Sequence, residues 1–172
     1  RHRFVDEALA SHAYEDAALP IGHGQTISQP YAVARMTEAL LEPRCPEAVL
    51  EIGTGSGFQT AVLASLARRV YSVERVATLL EAARRRLAEL HLRNVRLRHA
   101  DGALGWPEYA PFDAILVTAA PPGIPRTLVN QLRIGGCMVL PMGLGAEQGL
   151  VRLIRTPEGY TPEILEPVNF VP

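Results

Sequence analysis

Residues 51–57 have the types and spacing of a ligand-binding turn: Glu51-Ile52-Gly53-Thr54-Gly55-Ser56-Gly57. They close an apolar run, Ala48-Val49-Leu50, and precede another. In a doubly wound α/β sheet the first strand–helix turn is where a nucleotide-like ligand sits. Glycines let the ligand approach the backbone, and the next helix presents its N-terminus. The spacing narrows the ligand. A dinucleotide turn needs G-x-G-x-x-G. Counted from Gly53 the last position is Phe58, and counted from Gly55 it is Thr60, so both registers fail. An NAD-binding reductase is therefore the least favoured reading. What stands here is E-x-G-x-G-x-G. A carboxylate ahead of the glycines suits a cationic ligand and repels a pyrophosphate. Glu74 closes the next apolar run, where a carboxylate can accept from both hydroxyls of a ribose. Asp101 follows a third run. Any one of these acids alone reads as an ordinary exposed side chain. Together they mark three strand ends on the ligand edge of an open sheet.

Positioning them requires alternating strands and helices, and the pattern begins at residue 47. Residues 48–52 predict a buried strand, and the glycine turn leads into a helix through Ala61, Val62, Leu63 and Leu66. Residues 70–74 predict the second strand. Val76, Leu79, Leu80, Ala83, Leu87 and Leu90 fall at helical spacing, which predicts a helix over 76 to about 91. Strands are predicted at 94–100, 112–118 and 137–142, with a short helix at 125–132 and a turn at Gly135-Gly136. Residues 150–155 and 163–168 predict late antiparallel strands. The expected architecture is α/β: a doubly wound, Rossmann-like, mostly parallel sheet with helices on both faces and antiparallel strands at the C-terminal end. Residues 1 to about 43 lack strand patterning. Phe4, Val5, Ala8 and Leu9 suit a short helix, residues 19–25 are turn-rich, and Pro30 opens a helix with Val33, Met36 and Leu40 on one face. Two parts are expected: a helical and substrate-loop segment over 1–43, and a compact ligand-binding domain over 44–172.

Composition removes whole classes of function. The 172 residues are 48% hydrophobic and 20% charged, as in a globular chain with a real core. Eighteen acidic and seventeen basic residues leave a net charge of −1, so no broad attraction to nucleic acid or to an anionic membrane is expected. All seventeen basic residues are Arg. A lysine Schiff-base enzyme is excluded, and so is a P-loop with its Gly-Lys pair. Cys45 and Cys137 stand far apart without CxxC or Cys/His clustering, which argues against zinc and a disulfide framework and fits a reducing cytosol. A run of about 18 apolar residues is absent, so no membrane span is expected. No signal-peptide pattern opens the chain. The run Arg84-Arg85-Arg86 reads as a solvated helix face, with Glu81 and Glu89 spaced to pair with Arg85 and Arg93.

The turn Glu51–Gly57 resembles motif I of the class I S-adenosylmethionine-dependent methyltransferases. Those enzymes commonly set a side chain against the adenine amino group where Asp101 stands. The fourth strand continues Thr118-Ala119-Ala120-Pro121-Pro122 and lacks the Asn/Asp-Pro-Pro-Tyr/Phe of many amino-methylating enzymes. No side-chain pair stands out as a base for an alcohol. A carboxylate target needs none, because its pKa near 4 leaves it ionised at neutral pH. The segments Arg1-His2-Arg3-Phe4-Val5 and Gly24-Gln25-Thr26-Ile27-Ser28-Gln29-Pro30 carry the closer likeness. Further matches are Gln59-Thr60-Ala61, Tyr71–Arg75, Asp101-Gly102, Ala110–Asp113 and Phe170-Val171-Pro172. Together they resemble the protein-L-isoaspartate O-methyltransferase family over essentially the whole chain. Phe58 stands where Tyr is common in that family.

The resemblance implies methylation of the free α-carboxyl of L-isoaspartyl residues, and possibly D-aspartyl ones, in damaged proteins. The ester then closes to a succinimide that can reopen as aspartyl. S-adenosylmethionine is the implied cofactor, with S-adenosylhomocysteine as product and no metal. The implied cofactor residues are Glu51, Gly53, Thr54, Gly55, Gly57, Glu74, Asp101 and Gly102. The implied substrate residues are Thr26, Ile27, Ser28, Gln29, Phe170 and Val171, with Ser28 catalytic. A competing role for Ser28 is to cap the helix begun at Pro30. Isoaspartyl proteins and peptides are the expected partners of a cytoplasmic monomer. Other readings are a class I methyltransferase for a small molecule or RNA, and a non-catalytic S-adenosylmethionine-binding relative.

Overall fold

A computed structural model describes residues 1–42, 45–144, 147–168 and 170. The expected segment boundary at 43/44 and the expected substrate residue Val171 lie outside them. Seven strands form one sheet in the order β5-β4-β3-β6-β7-β8-β9. Strands β3 (Ala48–Ile52), β4 (Arg69–Glu74), β5 (Val95–His99), β6 (Phe112–Val117) and β7 (Leu132–Leu144) run parallel to their neighbours within that group. Strands β8 (Glu147–Thr156) and β9 (Gly159–Val168) continue the sheet antiparallel. The central strand β3 pairs β4 on one side and β6 on the other. Chain order reverses there, and a crevice opens beyond the C-terminal ends of the strands.

Strand β3 is buried at all five positions, and so is β6 at all six. Such strands read as apolar runs because helices cover both sheet faces. Val49, Val70, Ala114 and Leu116 face one layer, with Met36, Ala39 and Leu40 of α1 (Pro30–Leu41) and Leu63 of α2 (Phe58–Leu66). Leu50, Tyr71, Ile115 and Val117 face the other, with Leu128 and Val129 of α4 (Arg126–Val129). The amphipathic α3 (Ala77–Glu89) buries Leu79, Leu80, Ala83 and Leu87. Asp113 ties the sheet together at its N-terminal edge. Its Oδ2 accepts from the N–H groups of Glu47 and Ala48, at 3.0 and 2.8 Å, and its Oδ1 meets Arg133 at 2.6 Å.

The expected sheet, its late antiparallel strands and the short N-terminal helical turns are all present. Several local expectations are corrected. Residues 19–25, expected to be turn-rich within a segment without strand patterning, belong to a hairpin of β1 (Leu19–Gly22) and β2 (Gln25–Ile27). Its strands are too short to display an alternating pattern, and a register shift interrupts them. The N-terminal helix is two 3₁₀ turns, His2–Phe4 and Glu7–His12. The helix read over 125–132 is a single turn, and β7 already begins at Leu132. Gly135-Gly136 is an excursion within β7: Leu132 pairs Phe112 and Cys137 pairs Ala114, so five steps on β7 answer two on β6. On α3, Glu81 pairs Arg84 and Glu89 pairs Arg3, in place of Arg85 and Arg93. Arg86 is only partly exposed and donates to the Ser56 carbonyl at 3.3 Å.

Asp113→Ala leaves one buried and one part-buried N–H group without their acceptor. Bonds to a charged group are worth about 1.5–3 kcal/mol each and are not additive, so the expected loss is about 2–4 kcal/mol. A urea midpoint that falls with an unchanged slope is the expected result.

Candidate functional site

Two elements meet over the crevice. From below come the strand ends of β3, β4 and β6. From above comes the hairpin β1–β2 with the loop to α1, whose tip is tied down where His23 Nε2 lies 2.7 Å from Thr78 Oγ1 at the start of α3. Between them lies a cavity of about 450 Å³. Thr26, Ile27 and Ser28 line one side, and Gly53, Thr54, Gly55, Glu74, Asp101 and Gly102 line the other. Nine of the residues singled out from the sequence are thus gathered at one place.

Four others are not. Gly57 packs away from the cavity: its φ is +88°, and a Cβ there would meet Ala83 of α3 at 3.2 Å. It lets α2 start tightly against α3 and touches no ligand space. Gln29 and Phe170 line a separate shallow depression beside β8 and β9. Phe170 is held there by its main chain, which exchanges two hydrogen bonds with the Gln148 side chain. Glu51, expected to meet a cationic ligand, has no exposure and does not line the cavity. Its Oε2 accepts from Thr60 Oγ1 and Ser72 Oγ, both at 2.5 Å. The Ser72 hydroxyl has one hydrogen and gives it to Glu51, so it accepts from Thr54 Oγ1 at 2.6 Å. Glu51 therefore reaches the cavity only through this chain of hydroxyls.

Glu74 is also buried, but at the cavity wall. Its Oε2 accepts from Gly55 N–H at 2.8 Å and its Oε1 from Val76 N–H at 2.9 Å. Each oxygen keeps a lone pair for a further donor. Asp101 is exposed, and its Oδ1 accepts from Ala103 N–H at 2.9 Å at the head of a short 3₁₀ turn. Gly55 has a φ of +51°, and a Cβ there would meet only Ile21 Cδ1, at 3.4 Å. A side chain at that position would project into space that a ligand can use. Gly53 is different: a Cβ there would lie 2.3 Å from Thr118 Oγ1, whose single hydrogen is shared between the carbonyls of Ile52 and Gly53. The residues fit a nucleoside-like ligand: a glycine-lined approach, a carboxylate with unused lone pairs and a second acid at the next strand end.

Ser28 lines the cavity but does not cap α1. The N-cap is Gln29, without a side-chain bond, and the first-turn N–H of Tyr31 donates to Asp16 Oδ1 at 2.8 Å. The cavity also takes in residues that the sequence reading did not assign to the site. Thr118–Pro122 follow β6, and the strand-end rule that selected Glu74 and Asp101 would have found them. Ile21 on the hairpin and Phe58 on α2 have no such strand-end signal, while Gln25 and Gln59 stand in segments that carry the family likeness. Among the described residues, no three His, Cys, Asp or Glu side chains gather as a metal site, and no helix is long and apolar enough to cross a membrane.

Burial pushes the Glu51 carboxyl up from 4.5 to about 7, against the lowering effect of its two hydroxyl partners. A raised acid favours the folded state while protonated. That contribution is complete below the unfolded value and is lost as pH rises through about 7, and it is on the order of 3 kcal/mol. Melting curves across about pH 5 to 8 should show wild-type stability declining relative to Glu51→Gln, which carries no such titration. Parallel curves would place the pH dependence elsewhere.

Comparison with known proteins bears on this geometry. The family model described as Protein-L-isoaspartate(D-aspartate) O-methyltransferase matches residues 1–172. A Protein-L-isoaspartate O-methyltransferase of Xylella fastidiosa (strain 9a5c) is 59% identical over 172 residues, covering 99% of this chain and 76% of the relative. Protein-L-isoaspartate O-methyltransferase 1 of Marinobacter nauticus is 58% identical, covering 100% of this chain and 78% of the relative. A solved structure titled protein-L-isoaspartate O-methyltransferase superposes with a TM-score of 0.87 at 28% identity, over 99% of this chain and 57% of its own. A putative Plasmodium falciparum member, in complex with S-adenosyl-L-homocysteine, gives 0.84 at 25% identity, over 99% of this chain and 84% of its own. The match of the family model to every residue, joined to close relatives that share its full length, shows that this chain belongs to the protein-L-isoaspartate O-methyltransferase family.

Proposed function

We propose that the chain is a protein-repair methyltransferase: it takes a methyl group from S-adenosylmethionine and places it on the α-carboxyl of L-isoaspartyl residues in damaged proteins and peptides. The observation that carries this reading is the meeting, in one cavity, of the neutral loop Thr26–Ser28 with the glycine turn and Glu74. S-adenosylmethionine, when bound, supplies an electrophilic methyl group on a sulfonium. Gly55 would leave room for it, Gly53, Thr54 and Gly102 would border it, Glu74 would hold the ribose hydroxyls and Asp101 would face the adenine amino group. Glu51 and Gly57 act from behind, by shaping the turn. Residues 1–43 supply the substrate side of the site and the remainder supplies the cofactor side.

The target carboxylate is already ionised, so the loop has no proton to remove; it has only to hold and aim. The charged residues that line the cavity, Glu74, Arg75 and Asp101, belong to strand ends and their turns, whereas residues 25–28 are neutral. A neutral donor orients a carboxylate without the tight ion pair of an Arg fork, which would reduce its nucleophilicity. Closing the hairpin over the site excludes water, and a carboxylate with fewer water partners is the more reactive nucleophile. Two unpaired thiols, Cys45 and Cys137, support a cytoplasmic setting, and the enzyme acts as a monomer.

Label should pass from tritiated S-adenosylmethionine to an isoaspartyl peptide and not to its aspartyl twin, and mild base should release it as methanol. Equal labelling of both peptides, or of neither, would overturn the function. In Ser28→Ala, loss of an orienting bond to a charged group is worth about 1.5–3 kcal/mol in the transition state, so turnover should fall roughly 10–150-fold. Cofactor affinity and melting temperature should hold, because Ser28 is not the helix cap. A variant with wild-type turnover at saturating cofactor would remove Ser28 from the site.

A further inference from the structure

The loop that carries Ser28 has no regular structure between β2 and α1, and it is gripped on one side by a single side chain. Arg1 is only 8% exposed. Its Nη2 donates to the Ser28 carbonyl at 3.0 Å, the Ile27 carbonyl at 3.4 Å and the Ala17 carbonyl at 2.7 Å. Its Nη1 donates to the carbonyls of Ala13 at 2.6 Å and Glu15 at 3.3 Å. Five main-chain oxygens thus converge on one guanidinium. They come from two segments far apart in sequence, the 13–17 turn and the 27–28 loop. Ser28 borders the cavity and Arg1 does not, so the loop lies between them.

A trans peptide holds its C=O and N–H antiparallel. With the carbonyls of Ile27 and Ser28 turned onto Arg1, the N–H groups of the same two peptides, those of Ser28 and Gln29, point away from it. Among the described residues neither N–H donates to a main-chain carbonyl. We propose that Arg1 is a positioning residue for the substrate carboxylate: by fixing the two peptide planes it presents the Ser28 hydroxyl and the Ser28 N–H together, as one neutral pair of donors. This rests on the reading of Ser28 given above. Behind the loop the charge of Arg1 is solvated by carbonyl dipoles, with Asp16 close by, so the substrate meets the loop and not the guanidinium. A lysine cannot substitute, because a compact ammonium with three donors does not span carbonyls on two separate segments as a planar fork does.

The test uses the full chain with Arg1→Ala and Arg1→Lys. The readouts are kcat and KM for an isoaspartyl peptide, calorimetric affinity for S-adenosylmethionine, and rescue by added guanidinium ion far below denaturing concentration. Misplacing a reacting group by about an ångström costs up to roughly 100-fold, so kcat/KM for the peptide should fall roughly 10–100-fold in both variants. Cofactor affinity should stay within about twofold, since bonds that Arg1 does not touch form the cofactor side. Guanidinium should restore part of the peptide activity in Arg1→Ala and none in Arg1→Lys, whose ammonium occupies the place. Should Arg1→Ala not fold, Arg1→Lys carries the same comparison. Wild-type kcat/KM in a folded variant, or equal losses for peptide and cofactor without rescue, would overturn the proposal. A wild-type chain that labels no isoaspartyl peptide would instead overturn the functional reading, and this inference with it.

Discussion

One carboxylate holds the floor of the cavity in shape. Glu74 ends β4, and its two oxygens take the N–H groups of Gly55 and Val76. The first bond locks the glycine turn of β3 to the neighbouring strand, and the second locks the entry to α3. Both donors are main-chain groups at the edge of buried strands, where an unsatisfied N–H is costly. The turn, the strand end and the helix start therefore move as one piece. Below it, Glu51 draws Thr60 and Ser72 onto a single oxygen, and Ser72 in turn receives Thr54. The glycine turn is held from the side by one acid and from beneath by another, and only the first is placed to meet a ligand.

The opposite wall is built on another principle. The hairpin and the loop to α1 have little regular pairing and few bonds of their own. Their order is borrowed. Arg1 gathers the loop carbonyls with those of the 13–17 turn, Asp16 takes the first free N–H of α1, and His23 fastens the hairpin tip to Thr78. Phe4, Val5, Ala13 and Ile27 form a small apolar cluster beneath, with Phe58 of α2 against Phe4 at 5.5 Å. Charge is thereby separated across the cavity. Acids and Arg75 belong to the rigid strand ends, while the wall that faces them from the loop is neutral.

The places where the structure departs from the sequence reading have separate physical causes. Gly135-Gly136 was read as a turn because two glycines interrupt a pattern. In the sheet they are an excursion that lets β7 begin five residues earlier, beside Phe112. The hairpin was missed because three or four residues per strand are too few to alternate. Glu51 was read as a ligand contact because it precedes glycines at a strand end, yet strand alternation turns it into the interior, where Thr60 and Ser72 receive it. Gln29 and Phe170 belong to a segment that resembles a known motif, but they lie beyond the cavity, beside the last strands.

The sequence by itself determined the order of strands and helices from residue 47 onward and the three strand ends that carry the acids. Period and punctuation are local properties, and parallel strands buried on both faces must be apolar runs. It also singled out the Thr26–Ser28 segment through its likeness to a family. Only the tertiary structure decided which acid meets the cavity and which is sealed below it, since Glu51 and Glu74 stand in the same kind of place along the chain. It alone brought Arg1, Asp16 and His23 to bear on the loop. Those contacts join residues separated by 15 to 55 positions and are made chiefly to main-chain atoms. Main-chain carbonyls and amides are the same in every residue, so no choice of side chain at the receiving end announces the contact.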